Sequence, residues 1–202
     1  MLNKDTKIYA SFSLNPGNNG CLFFNDKFQK NNINAIYKSF YSDNIQKSIE
    51  AVKILDIKGF AVSMPYKIKV LDYVDQIDYH AQMIGSSNTI TNNGGYLTAY
   101  NTDWIGVKNY LSTFDIKEIF ILGNGGFSKA VQYYCKSSEI PYNIITREDW
   151  DKVENLTGYV FNATPVDIKT KGILIDGRPN TTQGKVISRL QAEEQYKIYM
   201  NE

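Results

Sequence analysis

Between Lys7 and Val62 short apolar runs alternate with segments of helical periodicity, and this alternation restricts the fold more than any other property of the chain. Ile8 to Phe12 reads as a strand, Leu22 to Phe28 as a helix, Ala35 to Phe40 as a strand, Ile45 to Leu55 as a helix and Gly59 to Val62 as a strand. Such an order predicts a parallel α/β sheet. In the segment from Ile45, the residues Ile45, Ile49, Val52 and Leu55 fall at spacings of three and four and form a core-facing stripe, with Lys47, Glu50 and Lys53 on the wet side.

The pattern then changes. From Asn88 to Ala99 two strands flank Asn92-Asn93-Gly94-Gly95, whose residues tolerate positive φ and suit a tight hairpin, predicting an antiparallel edge on the first domain. Asp103 stands where a helix can begin, with Trp104, Val107, Tyr110 and Leu111 on its apolar side. Glu118 to Leu122 reads as a buried strand, Gly126 to Ser137 as a helix, and Asn143 to Thr146, Tyr159 to Asn162 and Ile173 to Asp176 as three further strands. Twelve residues separate Thr146 from Tyr159, barely enough for a crossover with a short helix, and the ten between Asn162 and Ile173 leave no room for a full one. Val186 to Met200 reads as a final helix.

Composition narrows the partners. Lys and Arg number 22 against 21 Asp and Glu, so no strongly charged surface calls for nucleic acid or an anionic membrane. No run approaches the roughly 18 apolar residues of a membrane span, and Met1-Leu2-Asn3-Lys4-Asp5-Thr6 lacks the apolar core of a signal peptide, which predicts a cytoplasmic protein with a small-molecule partner. Cys21 and Cys135 read as reduced packing residues, and with His80 as the one histidine no zinc site is expected.

Two groups of residues carry chemistry. Gly123-Asn124-Gly125-Gly126 lies between a strand and a helix, as a dinucleotide turn requires: one glycine bends the chain, another lets backbone amides approach a pyrophosphate, and the helix dipole favours the anion. Ser128 takes the usual third-glycine place and Ala130 is small enough for close packing; a purely structural strand-to-helix turn is the alternative. After the next strand, Thr146 and Arg147 stand where NAD enzymes carry an acid, and the Arg fork suits a 2′-phosphate, favouring NADP, although Glu148 and Asp149 flank it. The second group pairs Lys67, in Ser63-Met64-Pro65-Tyr66-Lys67, with Asp103, in Tyr100-Asn101-Thr102-Asp103. An ammonium can donate a proton to a developing alkoxide while a carboxylate holds it in place; a plain ion pair closing an interdomain cleft is the alternative.

These segments, with Ile84-Gly85-Ser86-Ser87-Asn88-Thr89, Asn162-Ala163-Thr164-Pro165 and the stretch from Gly184 to Gln191 with Gln195 beyond, resemble in order the motifs of shikimate dehydrogenases. The resemblance implies an α/β protein of two domains: a mixed α/β substrate domain over residues 1–102, and a shortened Rossmann-like NADP-binding domain over 103–184, with a helix over 185–202 returning to the first. It implies reversible hydride transfer between 3-dehydroshikimate and shikimate in a cleft between them, with Lys67 and Asp103 catalytic. Ser13, Asn18, Ser63, Asn88, Thr102 and Gln191 would bind the substrate. Gly123, Asn124, Gly125, Gly126, Phe127, Thr146, Arg147, Asn162, Ala163, Thr164, Gly184 and Ile187 would bind NADP, Ile187 where the family often places Met against the nicotinamide. The chain departs from the family in several places: Asp176-Gly177-Arg178-Pro179 stands where a substrate-contacting tyrosine is expected, Ala61 replaces a frequent Asn, and Phe24 a frequent His. Quinate or another cyclic hydroxy acid, and a shikimate-binding protein without turnover, remain open, as do a monomer and a homodimer.

Overall fold

The computed structural model describes residues 2–201. The chain forms two compact units: one holds the chain through Thr102 together with the segment from Ala192 onward, the other Asp103–Gln191.

The first unit is built on a six-stranded mixed sheet of β1 (Lys7–Ser13), β2 (Ala35–Tyr41), β3 (Gly59–Val62), β4 (Gln76–Ile77), β5 (Thr89–Asn93) and β6 (Tyr96–Tyr100) in the order β2-β1-β3-β5-β6-β4. β1 runs parallel to β2 and β3, while β5 is antiparallel to both β3 and β6. Successive residues of β1 serve opposite faces: Ala10 and Phe12 join Ile45, Ile49 and Val52 of α2 (Ile45–Ile54), and Tyr9 joins Phe24 and Phe28 of α1 (Asn19–Lys30). Asn44 caps α2, accepting from the Lys47 amide at 3.1 Å. The hairpin forms as expected, with the Asn92 side chain accepting from the Gly95 amide at 2.8 Å, but it does not make the sheet edge. β4 lies beyond it, because the Asp75 carboxylate accepts from the Leu97 amide at 2.7 Å and draws the short strand alongside β6. Two short helices follow the parallel strands, α3 (Tyr66–Lys69) and α4 (Tyr79–Ile84), the second capped by Asp78.

The second unit holds a four-stranded parallel sheet of β7 (Ile119–Leu122), β8 (Tyr142–Ile145), β9 (Tyr159–Asn162) and β10 (Ile173–Asp176) in the order β10-β9-β7-β8. One face packs on α5 (Asp103–Leu111), α6 (Gly126–Ser137) and the start of α7 (Thr182–Met200), through Val107, Leu111, Val131, Tyr134, Cys135 and Ile187. The other face carries a 3-10 helix, Arg147–Asn155, which sets Val153 and Trp150 against Leu122, Ile145 and Val160, joined by Ile168 from the connection after β9. The short connection after β8 thus becomes a 3-10 turn, and no helix forms between β9 and β10.

The last helix starts earlier than its apolar pattern suggests, at Thr182, because the Thr181 hydroxyl accepts from the Gly184 amide at 3.1 Å. It also changes unit later than the expected 184/185 boundary. Gly106 lets it approach α5, since a Cβ there would lie 2.8 Å from the Ile187 carbonyl, so the helix stays with the second unit through Gln191. From Ala192 it joins the first unit, where Tyr196 and Tyr199 pack with Tyr9, Phe24 and Phe28. Among the described residues no helix is long and apolar enough to cross a membrane.

Candidate functional site

The parallel strands of the first sheet all point their carboxyl ends at one edge, and so does β6. Register places Phe12 beside Val62, Ala61 beside Thr89 and Thr89 beside Tyr100, so Ser13, Ser63, Asn88 and Thr102 follow one another across that edge on neighbouring chains roughly 4.8 Å apart. Ligands of open α/β sheets bind outside such carboxyl ends. Ser63 starts the turn that carries Lys67: its amide donates to the Phe12 carbonyl at 3.2 Å and its carbonyl accepts from the Tyr66 amide at 2.8 Å. The Lys67 carbonyl accepts from the Ser87 amide at 2.7 Å, and its side chain is half-buried.

The Ser86-Ser87-Asn88-Thr89 segment is a hydrogen-bonded bracket. The Asn88 carboxamide oxygen accepts from the Thr102 amide at 2.8 Å and the Thr89 hydroxyl at 3.0 Å, while its nitrogen donates to the Thr102 hydroxyl at 2.9 Å. Asn101 donates to the Ser86 carbonyl at 2.9 Å, and Ser87 to the Tyr100 carbonyl at 2.6 Å. Thr102 is 0% exposed, and its hydroxyl accepts from the Asn88 nitrogen and braces that side chain. Asp103 directly follows, buried, as the first residue of α5. Ser13 is buried at the end of β1, Ser63 is exposed, and Asn18 is an exposed residue preceding α1 whose side chain makes no capping bond. Gln191 is half-buried on α7, its Cβ packed against Gly106.

In the second unit the chain passes from β7 outward to β8 and then back across β7 to β9, so the strand order reverses between β7 and β9. A topological switch point of this kind opens a crevice at the carboxyl ends. Gly123, Asn124 and Gly125 follow β7, with Gly126 opening α6, and Ala163 and Thr164 follow the neighbouring β9 at the same end of the sheet. Gly123 has φ +92°, and a Cβ on it would meet the Thr164 methyl at 2.8 Å. The Gly123 carbonyl accepts from Ser128 at 2.7 Å, so the residue in the third-glycine place closes the turn. Around Gly125 the space is open, with no atom within 4 Å of an added Cβ, directly before the first amides of a 12-residue helix. A dinucleotide phosphate fits such a cradle.

The residues expected to bind the cofactor divide into two sets. Gly123 through Gly126 lie at the carboxyl end of β7, and Arg147 is exposed just beyond β8, next to Thr146. Of the two acids that flank the arginine, Asp149 is paired with Lys152 at 2.5 Å. Phe127 is half-buried with its ring 5.7 Å from that of Phe161. Asn162 is 0% exposed, and both ends of its amide are engaged: the oxygen accepts from the Thr164 amide and hydroxyl at 3.0 and 2.7 Å, and the nitrogen donates to the Val166 carbonyl at 2.9 Å. It shapes the loop. Gly184 is needed by the protein's own backbone, since a Cβ there would overlap the Arg178 carbonyl at 1.8 Å. Ile187, expected against the nicotinamide, lies in the core of this unit at 2% exposure.

One cluster was missed in the sequence. Arg178 pairs with Asp176 at 2.7 Å and with Asp167, tying the end of β10 to the loop after Thr164. The Asp-x-Arg spacing alone does not disclose the third partner, eleven residues away in the chain.

Comparison with known proteins agrees with this architecture. The model of the shikimate dehydrogenase substrate binding domain matches residues 19–90. A shikimate dehydrogenase (NADP(+)) of Pyrococcus furiosus is 35% identical over 191 residues, covering 87% of this chain and 68% of that protein. A shikimate dehydrogenase-like protein of Haemophilus influenzae is 40% identical over 141 residues, covering 68% of this chain and 52% of its own, so the chain spans about half the length of that relative. The solved structure of a shikimate 5-dehydrogenase-like protein superposes with a TM-score of 0.81 at 29% identity, covering 100% of this chain and 94% of that one. By its 35% identity to a shikimate dehydrogenase of which it covers 68%, the chain belongs to the shikimate dehydrogenase family.

Proposed function

We propose that the chain is an NADP-dependent oxidoreductase that interconverts 3-dehydroshikimate and shikimate. The observation that carries this reading is the row of Ser13, Ser63 and Asn88 along one sheet edge, with the Lys67 turn hydrogen-bonded to Ser87 beside it. Short neutral groups in such a row suit a ring bearing several hydroxyls. Lys67 supplies the proton that the carbonyl oxygen needs as it becomes an alcohol, and its charge stabilises the developing alkoxide. Asp103, next in the chain to the residue that braces Asn88, supplies the carboxylate that accepts from a substrate hydroxyl. Gly123, Asn124, Gly125 and Gly126 hold the pyrophosphate and Arg147 the 2′-phosphate, with Thr146, Ala163 and Thr164 beside them. NADPH bound there supplies the hydride.

The test is to follow NADPH absorbance with 3-dehydroshikimate and with quinate-derived ketone as a competitor for the same site. Lys67→Ala is expected to lower kcat at least about a hundredfold, the scale of a lost general acid. A second reading is a shikimate-binding protein without turnover, favoured by the four-stranded second sheet and the burial of Ile187. Shikimate that raises Tm, with no effect of NADPH and no turnover, would establish that reading instead.

A further inference from the structure

The hydroxyl of Tyr66 makes a contact that nothing in the proposed chemistry uses. Tyr66 is buried, and its Oη donates to the main-chain carbonyl of Ser42 at 2.8 Å. Ser42 lies just past β2, and its amide donates to the Ser13 carbonyl at 2.9 Å. On the other side of Tyr66, the Lys67 carbonyl accepts from Ser87 at 2.7 Å, one residue before Asn88. A continuous series of bonds therefore runs from Ser13 through Ser42, Tyr66 and Lys67 to Ser87 and Asn88. The Ser42 hydroxyl is also engaged, 2.7 Å from that of Ser48, so the carbonyl that Tyr66 grips belongs to a loop fixed from a second direction.

A phenylalanine would fill the same apolar space among Val62, Val70 and Ala10. The oxygen adds no packing that the ring lacks. It adds a directional tie, at the residue before the lysine, to the end of the neighbouring strand pair. We infer that Tyr66 is a positioning residue: its hydroxyl sets the direction in which the Lys67 side chain leaves the turn, and couples it to the loop ends that carry Ser13.

This inference rests on the proposed role of Lys67, and the experiment separates the two. Tyr66→Phe removes only the oxygen; para-aminophenylalanine at the same position returns a donor. Turnover of shikimate with NADP is measured across pH, and the Lys67 Cε resonance is titrated by NMR in the protein without ligands. Tyr66→Phe is expected to lower kcat about tenfold, the scale of a small misplacement of a catalytic group, with KM for NADP unchanged and the alkaline limb of the pH profile displaced. The Lys67 Cε titration moves with it, and the amino variant restores both. Wild-type kcat and an unmoved Lys67 titration in Tyr66→Phe would overturn the inference, as would a loss of kcat that the amino variant does not restore. A wild-type protein without turnover would remove the functional reading, while the Lys67 titration would still decide the role of Tyr66.

Discussion

Asn88 and Thr102 are tied together out of contact with solvent: the Thr102 amide donates to the Asn88 oxygen at 2.8 Å, and the Asn88 nitrogen donates to the Thr102 hydroxyl at 2.9 Å. Removing one partner strands the other's buried groups, whereas removing one bond of the pair is cheaper. Asn88→Ala, which strands both the amide and the hydroxyl of Thr102, is therefore expected to cost roughly 2–4 kcal/mol; Thr102→Val keeps the amide donor and leaves the Asn88 nitrogen without its acceptor, and is expected to cost roughly 1–2 kcal/mol. Urea denaturation of the two variants measures the difference. Equal losses would mean that the side-chain bonds do not act as described.

The glycines of the turn after β7 separate fold from binding. Gly125→Ala places its methyl in open space on an ordinary backbone, so Tm should stay near wild type while affinity for NADPH falls at least about tenfold, through lost approach of the phosphate. Gly123→Ala faces both φ +92° and the Thr164 methyl at 2.8 Å, and should lower stability by about 1–3 kcal/mol. Thr164→Ser in that background relieves the contact and leaves the strain, so a partial recovery is expected. Thermal melts with and without NADPH distinguish the cases.

Arg147 is exposed beyond β8, with Asp149 already paired to Lys152. Arg147→Ala should weaken NADPH about tenfold or more and leave NADH nearly unchanged, since only the first carries the 2′-phosphate that a guanidinium fork would grip. Fluorescence titration of both nucleotides checks this. Equal effects on the two would remove the phosphate assignment.

Alkali should unfold the protein through groups buried in neutral form. Burial pushes the Cys135 thiol up from its ordinary 9.0 to about 12, and likewise raises the phenols of Tyr9, Tyr37 and Tyr199 above 10.0. A raised folded-state value means that the unfolded chain loses the proton first, so the stabilisation is complete below pH 9 and declines as pH rises. In the Cys135 window, from pH 9 to about 12, the slope approaches roughly 1.4 kcal/mol per pH unit for each group involved. Cys135→Ala should flatten the first part of this decline. Urea midpoints from pH 8 to 10.5 test it, and an unchanged slope in the variant would contradict the assignment.

Most of the fold could be read wherever a residue's environment follows from its spacing. Tyr9 and Ala10 serve opposite faces because a strand alternates, and Ile45, Ile49 and Val52 share a face because a helix turns every 3.6 residues. β4 escaped because two residues have no period; what places them is the Asp75 carboxylate on the Leu97 amide. The candidate site was legible as a set of motifs, less so as a set of contacts. Gly184 shows why: a glycine reveals that something comes close, and here the neighbour is the Arg178 carbonyl. Thr102 and Asn162 likewise look available as polar letters, yet each has its hydrogen-bonding capacity turned inward. An isoleucine at helical spacing cannot announce which side of its helix a ligand would occupy, and Ile187 went to the core.

α7 gives Ile187 to one hydrophobic core and Tyr196 and Tyr199 to the other. On a ribosome the first unit emerges early yet stays open over Tyr9, Phe24 and Gly59, waiting for aromatic rings that are translated only after the whole second unit. Nascent chains halted near Thr102 should therefore engage chaperones that the released protein no longer needs.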